Sequence, residues 1–94
     1  MPLDVIQEKN LTEVIDYSLE YPSMVLATSK SQTSRNLAEY SFGLYIGYIS
    51  GVFFDKFLAE NKRFLNDDEL LHFNSMLKAR ESEILMKIKA HLKI

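Results

Sequence analysis

The sequence predicts an all-α protein, a small bundle of three to four helices with a long antiparallel helical hairpin over about 34–64 and 67–93. Three observations support this class. Only three glycines and two prolines occur, so the turns that separate strands in an all-β fold are almost absent. Apolar residues recur at helical spacing, and two segments carry capping signals. With 94 residues, the chain is expected to form one domain, 1–94.

The first helix is expected over 11–21. Asn10 is followed three residues later by a glutamate, which is a capping-box pattern, so a short N-terminal turn should precede the helix. Pro22 should end the helix, because the residue before a proline disfavours helical backbone angles. Residues 22–28 fit either a short helix or an extended segment. The polar stretch 28–34 predicts a flexible internal loop.

The hairpin consists of the two longest helical segments. The first, over 34–64, would be roughly 45 Å long at 1.5 Å per residue. The second is expected to run unbroken over 67–93. Asn66 and Glu69 form a second capping box, and the acidic residues around them suit the positive end of a helix dipole. Because the connection is short, the two helices should be antiparallel neighbours.

The central helix carries an unusual line of glycines. Gly43, Gly47 and Gly51 recur every four residues, and no charged residue occurs between Glu39 and Asp55. A helix that is apolar on all sides must be covered on more than one side. Each glycine costs about 0.5–1 kcal/mol of helix stability relative to alanine, so close approach of another helix is the expected compensation.

Three interpretations of this line are open. A helix of the same chain could pack against it, a second subunit could do so, or the helix could span a membrane. The uncharged run is about 15 residues and ~22 Å long, short of the ~30 Å hydrocarbon layer, so we do not expect a membrane span. A chain of this size offers few helices to cover the central one. We therefore predict a homo-oligomer, most simply a dimer, whose contact residues we call the glycine face: Tyr40, Gly43, Gly47, Ser50, Gly51, Phe54 and Leu58.

Catalytic and metal sites are not expected. The chain has no cysteine, which excludes disulfides and thiolate chemistry. No phosphate-binding glycine loop is present, because the glycines lie inside a helix. Glu69 and His72 have the Glu-x-x-His spacing of carboxylate metal sites, but His72 lies opposite the apolar stripe and should face water. We predict no enzyme activity, no bound metal and no cofactor.

The charge pattern points to protein partners. The net charge of −2 gives no general attraction to nucleic acid or anionic lipid. Basic residues collect near the C-terminus, but glutamates interrupt them, and a helix that ends in cations is the simpler explanation. The sequence thus predicts a non-enzymatic, cytoplasmic interaction or regulatory module that binds itself and potentially another protein. Alternatives are a small nucleic-acid-binding protein that uses the basic C-terminal helix, or a membrane-associated helical protein.

Overall fold

The computed structural model describes residues 2–26 and 37–93. Within these residues the chain forms five helices and no strand, which confirms the all-α class. The count exceeds three to four because a single-turn helix stands alone and the last predicted helix is divided. The helices are α1 (Val5–Glu20), α2 (Pro22–Val25), α3 (Leu37–Asn61), α4 (Asp67–Ala79) and α5 (Glu81–Leu92). The loop predicted over 28–34 lies outside the described residues.

Helix α1 begins earlier than the capping pattern at Asn10 predicts. Its N-cap is Asp4, whose side chain accepts a hydrogen bond from the Gln7 N–H at 2.7 Å, while the Gln7 side chain accepts from the Asp4 N–H at 2.9 Å. This reciprocal pair satisfies two amide donors that a helix start leaves without partners. Asn10 therefore lies inside the helix, and its side-chain oxygen accepts a hydrogen bond from Lys56 of α3.

The first helix ends at Glu20, just before Pro22, as the proline predicted. Tyr21 separates α1 from α2, and its N–H still donates to the Tyr17 carbonyl at 3.1 Å. Pro22 is the first residue of α2, where a missing amide proton costs no intrahelical hydrogen bond. The described part of the segment 22–28 is therefore helical up to Val25 and makes a turn at Leu26.

The segment predicted as one helix over 67–93 is divided at Arg80. The Arg80 N–H donates to the Leu77 carbonyl, three residues back, which is the tighter bond of a 3₁₀ turn. Neither proline nor glycine occurs in this segment, so no local helix breaker explains the division. The Arg80 guanidinium instead bonds Asp16 of α1 at 2.6 Å and Glu83 of α5 at 2.9 Å. A tertiary contact thus holds the joint.

The long helices pack as an antiparallel bundle. Tyr45 of α3 donates from its hydroxyl to the Ser18 carbonyl of α1 at 3.2 Å, and burial raises the pKa of Tyr45 to about 12. Phe53 of α3 stacks on Phe73 of α4, with ring centroids 5.5 Å apart. Ile46, which precedes Phe53 in α3, lines a groove with Leu77 and Glu81, which follow Phe73 in the chain. The predicted hairpin therefore runs antiparallel. The core consists of Leu3, Leu11, Ile15, Leu19, Val25, Leu26, Tyr45, Ile49, Phe53, Phe57, Phe73, Leu77, Ile84, Ile88 and Leu92.

Helix α3 ends at Asn61, and at the next residue, Lys62, the backbone turns into the left-handed region with φ of 57°. The Lys62 N–H donates to the Leu58 carbonyl at 2.9 Å, and the Asn61 side chain donates to the Phe57 carbonyl at 2.9 Å. Glycine occupies this position in many helices because a Cβ is disfavoured there. The left-handed end explains why α3 stops three residues short of the predicted boundary at 64.

Replacing Lys62 by glycine should therefore stabilise the protein. We expect Lys62→Gly to raise the free energy of unfolding by about 0.5–1 kcal/mol, because the left-handed backbone penalty disappears. Ala59→Gly, at an exposed position inside the same helix, should lower it by about 0.5–1 kcal/mol. Urea unfolding followed by circular dichroism measures both values. Equal losses in the two variants would contradict this account of the α3 terminus.

Candidate functional site

The glycine face lies on the side of α3 that points away from the core. A Cβ built on Gly43, Gly47 or Gly51 would have no neighbouring atom within 4 Å. The helices of the described chain therefore leave this line uncovered, and the interpretation that one of them packs against the glycines is wrong for residues 2–26 and 37–93. Helix α3 places Tyr45, Ile49 and Phe53 on the opposite side, in the core.

The other members of the glycine face share this outer side. Tyr40, Ser50 and Phe54 are half-buried, and Leu58 is exposed. Phe54 also contacts Phe73, with ring centroids 4.9 Å apart, so this one member is partly used within the chain. The structure thus brings all seven predicted residues to one surface of a single helix. Whether a second subunit covers that surface remains a prediction.

Two apolar flanks that the sequence analysis missed border the glycine face. Leu44, Tyr48 and Val52 each follow a glycine by one residue, so they lie about 100° further around α3. Beyond them, Tyr17 of α1 and Tyr21, which directly follows α1, are nearly half exposed, with ring centroids 4.7 Å apart. Burial raises the pKa of Tyr48, with a smaller contribution from the nearby Tyr17. Tyr17 and Tyr48 belong to different helices, and helical periodicity relates only residues of the same helix. Only the packing of α1 against α3 could therefore show that these tyrosines are neighbours.

The second flank is formed by the start of α4. Phe54, Phe64, Leu65 and Leu70 line an apolar cleft of about 240 Å³. Phe64 is 71% exposed, although the sequence analysis placed it at the end of a helix. Leu70 is 36% exposed, whereas Phe73, one turn further along α4, is buried in the core. A cleft with so little polar lining extends the apolar surface of the glycine face towards one end of the bundle.

Glu69 and His72 each contact other groups of the fold, so they do not face each other as a pair of metal ligands would. Glu69 is only 2% exposed, and both of its carboxylate oxygens accept hydrogen bonds from Arg63, at 2.7 and 3.1 Å. His72 is half-buried rather than facing water as predicted. Its Nδ1 accepts the Leu3 N–H at 3.0 Å, and its Nε2 lies 3.1 Å from the Glu8 carboxylate. Among the described residues, no group of three or more potential ligands could hold a metal ion.

The basic residues near the C-terminus do not form one stripe. Arg80 is engaged with Asp16 and Glu83, so its charge is balanced inside the fold. On α5, Lys87 and Lys89 are two residues apart and therefore lie about 200° apart around the helix. A continuous positive surface along one helix face is what nucleic-acid backbones require. The arrangement offers little support for that alternative.

Helix α3 is the one helix in the described part of the chain that is long and apolar enough to cross a membrane by length and composition. Only 22% of its most apolar 18-residue window is buried inside the chain. A core helix of a soluble bundle is mostly buried, so a large apolar area is left over. The site is therefore an open helix surface, and the chemistry available to it is apolar contact with a covering molecule.

The ion pair between Arg63 and Glu69 should make the free energy of unfolding depend on pH. The Arg63 hydrogen bonds hold the pKa of Glu69 below its ordinary value of 4.5, and the Asn66 N–H adds to this effect. A carboxylate with a lowered pKa stabilises the folded state above pH 4.5, and that contribution is lost as the pH falls through the folded-state pKa. The free energy of unfolding should therefore fall in this acid range.

Glu69→Gln should reduce the loss of unfolding free energy at acid pH. The same variant should be less stable than wild type at neutral pH, because the amide cannot replace the ion pair. Urea titrations from neutral pH down to about pH 3 measure both effects. Asp67→Asn, on the exposed first turn of the same helix, serves as the matched control. Parallel pH profiles for wild type and Glu69→Gln would contradict the assignment.

Comparison of the chain with models of known protein families, with curated proteins and with solved structures found no significant match. The open surface of α3 and the residues that border it are therefore the features from which a function can be proposed.

Proposed function

We propose that this chain is a cytoplasmic, non-enzymatic interaction module that associates with itself through the glycine face of α3. The supporting observation is that an uncharged helix surface more than 20 Å long, with open space above its three glycines, is left uncovered by the described residues. Open apolar surface of this extent marks interaction sites in soluble proteins.

The three glycines add a specific reason for a covering helix. Each lowers helix stability by about 0.5–1 kcal/mol relative to alanine. No described part of the chain would clash with a Cβ at these positions, so packing among residues 2–26 and 37–93 does not explain them. A second helix could approach α3 more closely here than the usual 8–10 Å between helix axes. An assembly would give the glycines a structural role that packing among the described residues does not.

Membrane association is the alternative that the length and composition of α3 favour. Two observations support a protein partner instead. Glu39 and Asp55 bound the uncharged run closely, which leaves it shorter than the hydrocarbon layer. In addition, Tyr45, Ile49 and Phe53 pack against the other helices of the bundle, and those helices carry charged outer sides. Insertion of α3 into lipid would require the bundle to come apart.

Gly47→Leu tests the proposal, because it should change stability and assembly in opposite directions. A Leu side chain has open space in the single chain and a better helix propensity than glycine, so the monomer should gain about 0.5–1 kcal/mol. The same side chain would hold a partner helix away, so the dissociation constant of the dimer should rise by about tenfold or more, equal to about 1.4 kcal/mol. Sedimentation velocity over a concentration series measures assembly, and urea unfolding of dilute protein measures stability.

Thr12→Leu adds the same side chain to an exposed position on α1 and serves as the matched control, since it should leave the dissociation constant unchanged. A wild-type protein that stays monomeric at roughly 100 μM would overturn the proposal. Partition of that monomer into lipid vesicles would favour the membrane alternative.

A further inference from the structure

Through both of its ring nitrogens, His72 of α4 contacts the region where α1 begins. Its Nδ1 lies 3.0 Å from the Leu3 backbone nitrogen, and its Nε2 lies 3.1 Å from the Glu8 carboxylate. A backbone N–H can only donate, so Nδ1 is the acceptor and carries no proton. The single proton of the neutral ring is then on Nε2, where it can be donated to Glu8. These two contacts therefore specify both the charge and the tautomer of the ring.

Addition of a proton to this ring would break one of the two contacts. A protonated imidazole has an N–H group at both nitrogens. The new proton on Nδ1 would point at the Leu3 N–H, so two donors would face each other across 3.0 Å. The contact between Nε2 and Glu8 would instead become an ion pair. The Glu8 carboxylate thus favours the charged ring, whereas the Leu3 N–H can bond only to the neutral ring.

The other acidic groups near His72 have different roles. Asp4 is used by the capping box of α1. Glu69, one turn before His72 on α4, is held by Arg63, and its lowered pKa keeps it ionised in mild acid. Asp68 lies on the same preceding turn of α4. Within the described residues, the carboxylate at Nε2 is therefore the ionised group that contacts the ring.

We propose that His72 is an acid-sensitive contact, and that protonation of its ring releases Pro2 and Leu3 from α4 while the rest of the bundle stays folded. This inference goes beyond the proposed function and does not depend on it. Leu3 is 4% exposed, so release of its backbone would also uncover a buried side chain. Histidine is the side chain that ordinarily changes charge between about pH 5 and pH 8, so mild acid is the expected trigger.

Hydrogen exchange of the Leu3 amide, followed by NMR from about pH 8 to about pH 5, tests this proposal. Exchange is expressed as protection relative to an unstructured peptide at the same pH, because the intrinsic rate itself changes with pH. The protection of Leu3 should fall by about fivefold or more as the ring becomes charged, because its hydrogen bond is lost. Core amides such as that of Ile49 should stay protected. Nitrogen-15 spectra of the imidazole report the charge and tautomer of His72 in the same sample.

Three variants separate His72 from other groups. His72→Asn can place a side-chain oxygen near the position of Nδ1 but cannot gain a proton, so Leu3 should stay protected in mild acid. His91→Asn replaces the other histidine of the chain and should lose protection as wild type does. Glu8→Gln, at a half-exposed position, keeps an acceptor for Nε2 without its charge. The midpoint of the loss should then move to lower pH by about 0.2–0.7 units, and this test holds even where His72→Asn does not fold.

Four results would overturn the proposal. The first is a loss of Leu3 protection in folded His72→Asn equal to that in wild type, and the second is constant protection in wild type while the ring becomes charged. The third is a ring that stays neutral down to about pH 5 or carries its neutral-state proton on Nδ1. The fourth is a simultaneous loss of protection in the core amides, since the bundle would then open as a whole. An unchanged midpoint in Glu8→Gln would contradict the part assigned to Glu8.

Discussion

Helix α3 has more apolar surface than the other described helices cover, and this constraint shapes the molecule. The helices packed around it, α1, α4 and α5, have one apolar side each, so together they enclose one side of α3. Tyr45, Ile49, Phe53 and Phe57 occupy that enclosed side. The opposite side carries the glycines and stays open. Residues 2–26 and 37–93 contain no further long helix with which to close it.

Polar contacts at the edges of the bundle hold the surrounding helices in place. Leu3 is buried, and its N–H donates to His72, which ties the start of α1 to α4. Arg80 ties the end of α1 to the joint between α4 and α5. Arg63 and Glu69 close the loop after α3, and the Arg63 guanidinium also lies 5.2 Å from the Phe57 ring. None of these contacts touches the glycine face, so that face is presented by a bundle whose ends are already fixed.

This arrangement is the basis for the proposed association through α3. The charged groups described above satisfy one another, and the clefts on the surface are shallow and mainly apolar. The open side of α3 is an apolar area flanked by Tyr17 and Tyr21 on one side and by the cleft at Phe64 on the other. A surface that is already formed before binding loses little conformational entropy when it is covered, which is consistent with the proposed association.

Local signals in the sequence determined the helical class, the capping box at Asn66 and Glu69, the junction at Pro22 and the common side of the seven residues of the glycine face. Each of these depends on residues within a few positions of one another, where backbone geometry alone decides the outcome. Only the tertiary structure decided the start of α1 at Asp4, the division at Arg80, the burial of His72 and the side of α3 that stays open. In α1, the capping patterns at Asp4 and Asn10 compete, and the one at Asp4 forms together with the packing of Leu3 into the core. Arg80 and His72 contact partners that are 64 and 69 residues away in the sequence. Periodicity identifies the sides of a helix, but the side that faces the core is set by the helices that pack against it.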